Sequence, residues 1–495
     1  MKYSYSLALA LLGTVPALVR AEVTQALTSP QVAAIAEQVT VRIEGSNGSG
    51  SGILIAHAGN TYYALTSKHV VENPDEYNLV LADDKRYAIN SSNTKIFADV
   101  DLALVEFTST QAYPLAKLGN SDQVQRGMTV YVAGWPYQGT AITNTTSVFQ
   151  PGIVAANAKK QQADGYALIY NNNTLPGMSG GPVFNESGEL IAVHGRGETD
   201  RLEKTANPSV YIKVGYNLGI PINTFLQLLA KNNLKLSLAL PSPSNTPSDR
   251  PASALDDFFA QGTAQLLKKE YRAAEESFTQ AIAADPMAGD AYRQRAQARF
   301  GLVGNLSTEL SDAVNQAKLQ AIEVDLTEAL QLNAKDARAY AFRASTRWSL
   351  KDKKGATADI NQSLVVNPQA YEAHGIKGFF LLEGGNPKAS LEPLTQAISL
   401  SSASDQDQWA LFANRSGAYW ALGDQQAALQ DVSTAIRLVP EEPVVYYQRG
   451  IFRLGLRDRE GAIADLQKAA DLALSQGRTV LYQRALKFIQ DAKGG

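Results

Sequence analysis

From Leu255 onward, the same residue types return about every 34 positions, and this recurrence restricts the fold more than any other feature of the chain. Ala274, Phe278, Ala281 and Pro286 mark one interval, and Tyr340, Ala344, Ala356, Ile360 and Pro368 mark another. Phe412, Tyr419, Ala428, Val432, Ala435 and Pro440 mark a third, and Tyr446, Gly450, Ala462, Leu466 and Ala469 a fourth. Small residues at fixed places let paired helices approach closely, and a late proline opens the next unit. A unit this short cannot bury its apolar face alone, so units must stack. Six units fit between Leu255 and Gln476, and a last helix through Leu486 and Ile489 would cap the stack. An insertion between Leu302 and Gln320 disturbs the register of the second unit, and the fourth, near Tyr371 to Ser404, lacks the late proline.

This pattern resembles the tetratricopeptide repeat, which implies an all-α solenoid that recruits protein partners. Charges recur as well. Arg295, Arg343, Lys377, Arg415 and Arg449 share one place in successive first helices, and Asp325, Asp359, Asp431 and Asp465 share one in the second helices. The first unit has Gln261 and Ser277 there, so both charges are missing together. Either each arginine bridges the two helices of its unit, or the basic residues form a ladder for an acidic peptide.

The chain before the repeats has a different rhythm. Val39–Ile43, Ile53–Ile55, Tyr62–Thr66, Asn78–Ala82, Lys95–Phe97, Leu102–Phe107, Met128–Ala133, Ser147–Ile153, Tyr166–Tyr170, Val183–Phe184 and Leu190–Val193 are short β runs separated by turn residues. Gly59-Asn60 marks a hairpin. So many short strands without helices between them predict an all-β barrel or sandwich. A helix beginning at Pro221-Ile222-Asn223 closes the region, with Phe225, Leu226, Leu228 and Leu229 on its apolar face. Pro241 to Pro251 then contains four prolines and almost nothing to bury, which reads as an extended, mobile linker.

At the N-terminus, Lys2, the apolar run Leu7–Val15 and the small residues of Val19-Arg20-Ala21 read as a secretory signal peptide cut after Ala21. No later segment is long and apolar enough to span a bilayer. A net charge of -3 gives no electrostatic case for nucleic acid. The chain has no cysteine, which excludes disulfides, thiolate chemistry and cysteine-based zinc sites.

The chemistry centres on Gly177-Met178-Ser179-Gly180-Gly181-Pro182. A serine held on a glycine-rich bend can be aimed at a carbonyl carbon, with the amides of Gly177 and Ser179 facing the oxygen that becomes negative. A serine hydroxyl needs a positioned base. Of the four histidines, His374 lies in the repeats, His57 beside the Gly59-Asn60 turn, and His194 at the end of a strand. His69 follows the strand Ala64-Leu65-Thr66 and is the candidate base. Asp101, which abuts the run Leu102–Val105, is the candidate partner that fixes the imidazole tautomer, with Asp99 as runner-up.

The blocks Thr66-Ser67-Lys68-His69-Val70, Asp101-Leu102-Ala103-Leu104 and Gly177–Pro182 resemble the three signatures of the chymotrypsin-like serine peptidases, in the same order. The likeness runs from about Val39 to Leu236. It implies two β-barrels packed face to face with the triad between them: Ser179 nucleophile, His69 general base, Asp101 its orienter, Gly177 and Ser179 amides the oxyanion hole. Met178 stands where animal digestive members carry an aspartate used in activation, which places the domain nearer the bacterial secreted and high-temperature-requirement members. Thr174 and His194 stand where the family builds the primary pocket. This pair resembles that of glutamyl endopeptidases, which cleave after acidic residues.

The organisation expected is a signal peptide at 1–21, a chymotrypsin-like all-β double barrel at 22–238, a linker at 239–254 and the all-α repeat solenoid at 255–495. The chain would be an exported endopeptidase acting on proteins or peptides and needing neither metal nor cofactor. A non-catalytic or chaperone-like scaffold is the alternative.

Overall fold

The computed structural model describes residues 26–45, 48–73, 76–136, 146–197, 215–240, 253–303, 313–401 and 408–494. The signal peptide and the centre of the proline-rich linker lie outside these residues. An N-terminal helix, α1 (Ser29–Val39), is capped by Thr28 and Gln31 in a reciprocal box and packs Val32, Ala36 and Val39 inward. It was not legible in the sequence.

Seven strands follow: β1 (Thr40–Gly45), β2 (Gly48–Ala58), β3 (Thr61–Thr66), β4 (Asn78–Val80), β5 (Arg86–Ala88), β6 (Lys95–Ile96) and β7 (Ala103–Thr108). They form one antiparallel sheet in the order β5-β4-β1-β2-β3-β7-β6. The β2–β3 hairpin turns at Gly59-Asn60, as expected. Strands β8 (Thr129–Gly134), β9 (Val148–Asn157), β10 (Leu168–Tyr170), β11 (Pro182–Phe184), β12 (Leu190–Arg196) and β13 (Asn217–Pro221) close a second, six-stranded barrel. The two β units press apolar faces together, and Ile53, Ile55, Leu65, Leu102 and Leu104 of the first share a buried cluster with Tyr131, Ala133, Ile169 and Val193 of the second. Helix α3 (Ile222–Lys231) buries Ile222, Phe225 and Leu229 as its amphipathic pattern requires.

From Ala254 the described residues fold into paired helices. Six pairs are present: α4 (Ala254–Leu267) with α5 (Tyr271–Ala284), α6 (Gly289–Val303) with α7 (Ala313–Leu332), α8 (Ala337–Ser349) with α9 (Lys353–Val366), α10 (Tyr371–Glu383) with α11 (Pro387–Leu400), α12 (Gln408–Ala421) with α13 (Gln425–Leu438), and α14 (Pro443–Gly455) with α15 (Arg459–Ser475). A last helix, α16 (Thr479–Gly494), packs on α15 and ends the stack. The pairs form a helical-repeat solenoid, with the recurrent small residues Ala274, Ala356, Ala428 and Ala462 fully buried between helices.

The recurrent charges are paired. Arg295 grips Asp325 through two bonds of 3.1 and 2.6 Å, and Arg343 grips Asp359 through 2.9 and 2.8 Å. Arg415–Asp431 and Arg449–Asp465 repeat the geometry. These forks match guanidinium to carboxylate with both partners mostly buried. Each guanidinium also donates to a hydroxyl of the preceding pair: Thr279, Thr327, Thr395 or Ser433. In the first pair Ser277 bonds Gln265, one turn beyond the expected Gln261. Lys377 has Pro393 where an aspartate would stand, and among the described residues it makes no ion pair.

The solenoid docks on the second barrel. Asp257 accepts the amides of Lys159 and Lys160 at 2.9 and 3.1 Å. Phe259 is fully buried between the Tyr216 ring, edge-on at 5.4 Å, and the Arg126 guanidinium at 5.1 Å.

Candidate active site

Strand register brings the first two candidates together. In the β3–β7 pair Thr66 stands opposite Ala103. The one-turn helix α2 (Lys68–Val71) then leaves the end of β3 just where the chain enters β7, so His69 meets Asp101. The His69 ring Nδ1–H donates to Asp101 Oδ2 at 2.7 Å, and the His69 amide donates to Oδ1 at 3.0 Å. Asp101 is buried, whereas about a third of the His69 side chain is exposed. Burial alone would raise the Asp101 carboxyl; the hydrogen bonds and charge of His69, with the Tyr166 hydroxyl, hold it below its ordinary value. Asp99, the runner-up, is exposed and lies 3.8 Å from Lys231.

Ser179 sits on the turn between β10 and β11, half-buried. This turn is stitched to the first sheet. Ser51 N donates to Ser179 O at 2.7 Å, Ser51 Oγ donates to Gly177 O at 2.9 Å, and Thr66 Oγ1 donates to Ser51 O at 2.6 Å. Gly180, at φ +86°, leaves no room for a side chain: a Cβ there would lie 2.1 Å from Ser51 O and 2.2 Å from Thr66 Oγ1. The His194 carbonyl accepts from both Gly180 N at 2.7 Å and Ser67 Oγ at 3.2 Å. The residue after Ser179 and the second residue before His69 therefore share one acceptor.

The Ser179 hydroxyl donates to Gly195 O at 2.9 Å. Among the described residues this is the hydroxyl's one hydrogen bond, so Ser179 is not bonded to His69, and a rotation about χ1 would have to redirect it. The Met178 carbonyl is tied to Gly181 N at 3.0 Å, which turns the Ser179 N–H, trans across the same peptide, away from it. Among the described residues neither the Ser179 nor the Gly177 amide donates to a protein acceptor. Two unpaired donors beside a hydroxyl suit an oxygen that gains charge.

Thr174 and His194 are both buried. Thr174 Oγ1 donates to Asn217 Oδ1 at 2.6 Å, and the Asn217 amide group donates to the carbonyls of Asn172 and Tyr170. The buried Tyr170 hydroxyl meets His194 Nδ1 at 2.7 Å and has no other partner among the described residues. Its proton is satisfied only if it donates, which makes Nδ1 the acceptor and leaves the ring proton on Nε2. Burial, helped by the charge of His69, pulls His194 down to about 3, so it is neutral at pH 7. The Thr174 proton is thus used on Asn217 within the protein, and His194 is uncharged.

Four further side chains surround these candidates. Tyr166 donates its hydroxyl to Asp101 Oδ2, and it fits because Gly195 has no Cβ, which would lie 2.2 Å from that hydroxyl. Arg196 lies over the Tyr166 ring at 5.4 Å and bonds Asp164, whose carbonyl accepts the Asp101 amide. Ser51 fastens the Ser179 turn, and Asn217 ties β13 to Thr174 and Asn172. The sequence marks Ser51 only as one serine in Gly48-Ser49-Gly50-Ser51-Gly52 and Tyr166 only as a strand end, and it does not single out Asn217.

Residues 50–193 match the family model of the trypsin-like peptidase domain. Over 147 residues the chain is 32% identical to a protein named probable periplasmic serine endoprotease DegP-like from Marinomonas sp. (strain MWYL1), covering 29% of this chain and 29% of that protein. A protein of the same name from Pseudomonas fulva (strain 12-X) is 32% identical over 147 residues, 29% of this chain and 28% of the relative. One from Pseudomonas fluorescens is 29% identical over 192 residues, 38% of this chain and 35% of the relative. The chain spans less than a third of the length of the first two relatives. It carries a trypsin-like peptidase domain in its β half, and the family match ends before the helical half begins.

Proposed function

We propose that the chain is an exported serine endopeptidase, acting in the periplasm or outside the cell, whose tetratricopeptide-type repeats recruit protein partners. The observation that carries this reading is the buried Asp101–His69 pair, fastened beside the Ser179 turn through Thr66, Ser67 and the His194 carbonyl. Ser179 Oγ attacks the scissile carbonyl carbon while His69 Nε2 takes its proton. Asp101 keeps the proton on Nδ1 and stabilises the imidazolium. The Gly177 and Ser179 amides receive the oxyanion. His69 then protonates the leaving amine, and water, activated by the same imidazole, releases the acyl group. Export rests on the signal peptide and on the periplasmic naming of the relatives. Among the described residues no helix is long and apolar enough to cross a membrane.

The pocket reading follows from the Tyr170–His194 bond. A neutral imidazole offering Nε2–H suits a carboxylate or a side-chain carbonyl, and no carboxylate stands in Asn171-Asn172-Asn173-Thr174-Leu175 to attract a basic side chain. Cleavage after Glu is therefore expected over cleavage after Ala, Phe or Lys.

A fluorophosphonate probe on the full chain tests the catalytic reading. Covalent label on the wild type and none on Ser179→Ala is the expected result. An unlabelled wild type with no peptide turnover would leave a binding scaffold instead. His194→Ala should reduce cleavage after Glu by about tenfold to a hundredfold relative to Leu, the worth of one hydrogen bond to a charged group. Equal losses on both substrates would make the histidine a support of the fold alone.

A further inference from the structure

The docking of the solenoid is not confined to its first helix. Arg293 of α6 is 6% exposed, and its Nη2 donates to the Tyr216 hydroxyl at 2.9 Å. The same guanidinium lies over the Tyr216 ring at 5.3 Å and bonds Asp336 through Nε at 2.8 Å. Asp336 is the N-cap of α8, where its other oxygen accepts the Ala339 amide. From that helix Arg338 donates to the Gly215 carbonyl at 3.2 Å. Arg293 stands two residues before Arg295 and takes no part in the ladder. Its fork instead joins the second pair, the third pair and the peptidase.

Tyr216 and Gly215 directly precede Asn217, the first residue of β13. Asn217 faces Tyr170 in the β10 ladder, holds the Tyr170 and Asn172 carbonyls and accepts the Thr174 hydroxyl. Two residues further on, Gly219 stands opposite His194. A continuous set of bonds therefore leads from the junction of the second and third helix pairs to both pocket residues.

We infer that Arg293, through Tyr216, is a positioning residue for the primary pocket: the solenoid supplies the outer fastening of the strand that carries Asn217. A buried guanidinium costs much desolvation and needs partners with fixed geometry, so the bond to Tyr216 is a directional constraint. A shift of the strand by a fraction of an ångström moves Asn217, and with it the Thr174 hydroxyl and the Tyr170–His194 pair. The Ser179 turn, besides its bonds to the His194 backbone, is pinned to the first sheet through Ser51 and Thr66, which the interdomain bond does not touch. The inference rests on the peptidase reading above, and it assigns selectivity, not bond cleavage, to the interdomain bond.

The test uses the full chain as wild type, Tyr216→Phe, Arg293→Lys and, as a distant control, Arg449→Ala. Two quantities are measured: the rate of fluorophosphonate labelling of Ser179, and the ratio of kcat/KM between the best and worst residues before the scissile bond in a peptide library. Tyr216→Phe keeps the ring and its packing and removes only the hydroxyl. The expected result is a ratio reduced about threefold to tenfold in Tyr216→Phe and Arg293→Lys, with labelling within about twofold of wild type and no change of ratio in Arg449→Ala. An unchanged ratio in Tyr216→Phe would overturn the inference, as would a parallel loss of labelling and turnover. A wild type that takes no label would remove the peptidase reading and this inference with it.

Discussion

Replacing Tyr166 by phenylalanine removes one oxygen from the site and leaves the ring in place. That oxygen donates to Asp101 Oδ2, the atom that also receives His69 Nδ1–H at 2.7 Å. Asp101 is buried and accepts from the His69 amide as well, so the hydroxyl is one of three bonds that hold a carboxylate out of water. A hydrogen bond to a charged group contributes about 1.5–3 kcal/mol net. Most of it is present before and after substrate binds, and only the part that changes as the imidazolium forms alters the chemical step. The expected fall in kcat is therefore about threefold to thirtyfold, with KM nearly constant. A loss of folding stability of up to about 1.5–3 kcal/mol should accompany it. The acidic limb of the kcat/KM profile, which reports on the His69–Asp101 pair as a unit, should move as well. Steady-state kinetics on one peptide across pH, with denaturant melts of both proteins, give all these quantities. A lower melting point with unchanged kcat and an unmoved acidic limb would refute the reasoning, because Tyr166 would then prop the fold without steering the carboxylate.

Other perturbations follow from the same geometry. Ser179→Ala and His69→Ala should each lower turnover by several orders of magnitude, and the double variant should lose little more; a much larger loss in the double variant would break the assigned partnership. Arg343→Ala leaves Asp359 buried with Arg347 as its remaining partner, so urea melts should show a loss of about 2–4 kcal/mol; a loss below about 0.5 kcal/mol would place the pair among surface ion pairs. His194 is held at about 3 in the folded chain, below its ordinary 6.5. The unfolded chain therefore binds the extra proton first, and the contribution is complete above pH 6.5 and lost as the pH falls toward 3, amounting to a few kcal/mol. His194→Gln should flatten that part of the stability curve, and an unchanged slope would show that the ring is not buried neutral.

The order of the three peptidase blocks, the hairpin at Gly59-Asn60 and the six helix pairs were legible because each is written locally. A turn needs its glycine, and a helix pair needs its small residues at fixed spacing. Strands β5 and β13 were not read. Arg86–Ala88 is too short to alternate, and Asn217–Pro221 begins with a polar residue and contains a glycine. The parts of the site that depend on register were also out of reach. Tyr166 and Asp101 are 65 positions apart in sequence and meet only after both β units have folded. The pairing of each recurrent arginine with an aspartate was readable from matched absence, since Gln261 and Ser277 lack both charges together. That Arg293 belongs to a different set was not readable, because its partner Tyr216 lies in the other half of the chain.

The missing stitch at Lys377 has a mechanical consequence. Between most successive pairs a guanidinium bonds its own aspartate and a hydroxyl of the preceding pair, so neighbours resist rotation against each other. Between the third and fourth pairs the Trp348 and Phe380 rings stack at 4.2 Å and 6°, which opposes separation but tolerates sliding. Pro393 adds a break in the backbone bonding of α11 at the same level. The first three pairs are anchored to the peptidase through Asp257, Arg293 and Arg338, and the last three are joined to them across this junction by apolar packing without a guanidinium fork. The bonds that resist rotation are therefore fewest at this junction, and the buried side chains of Ala344, Ile360, Ala373 and Phe380 carry the packing across it.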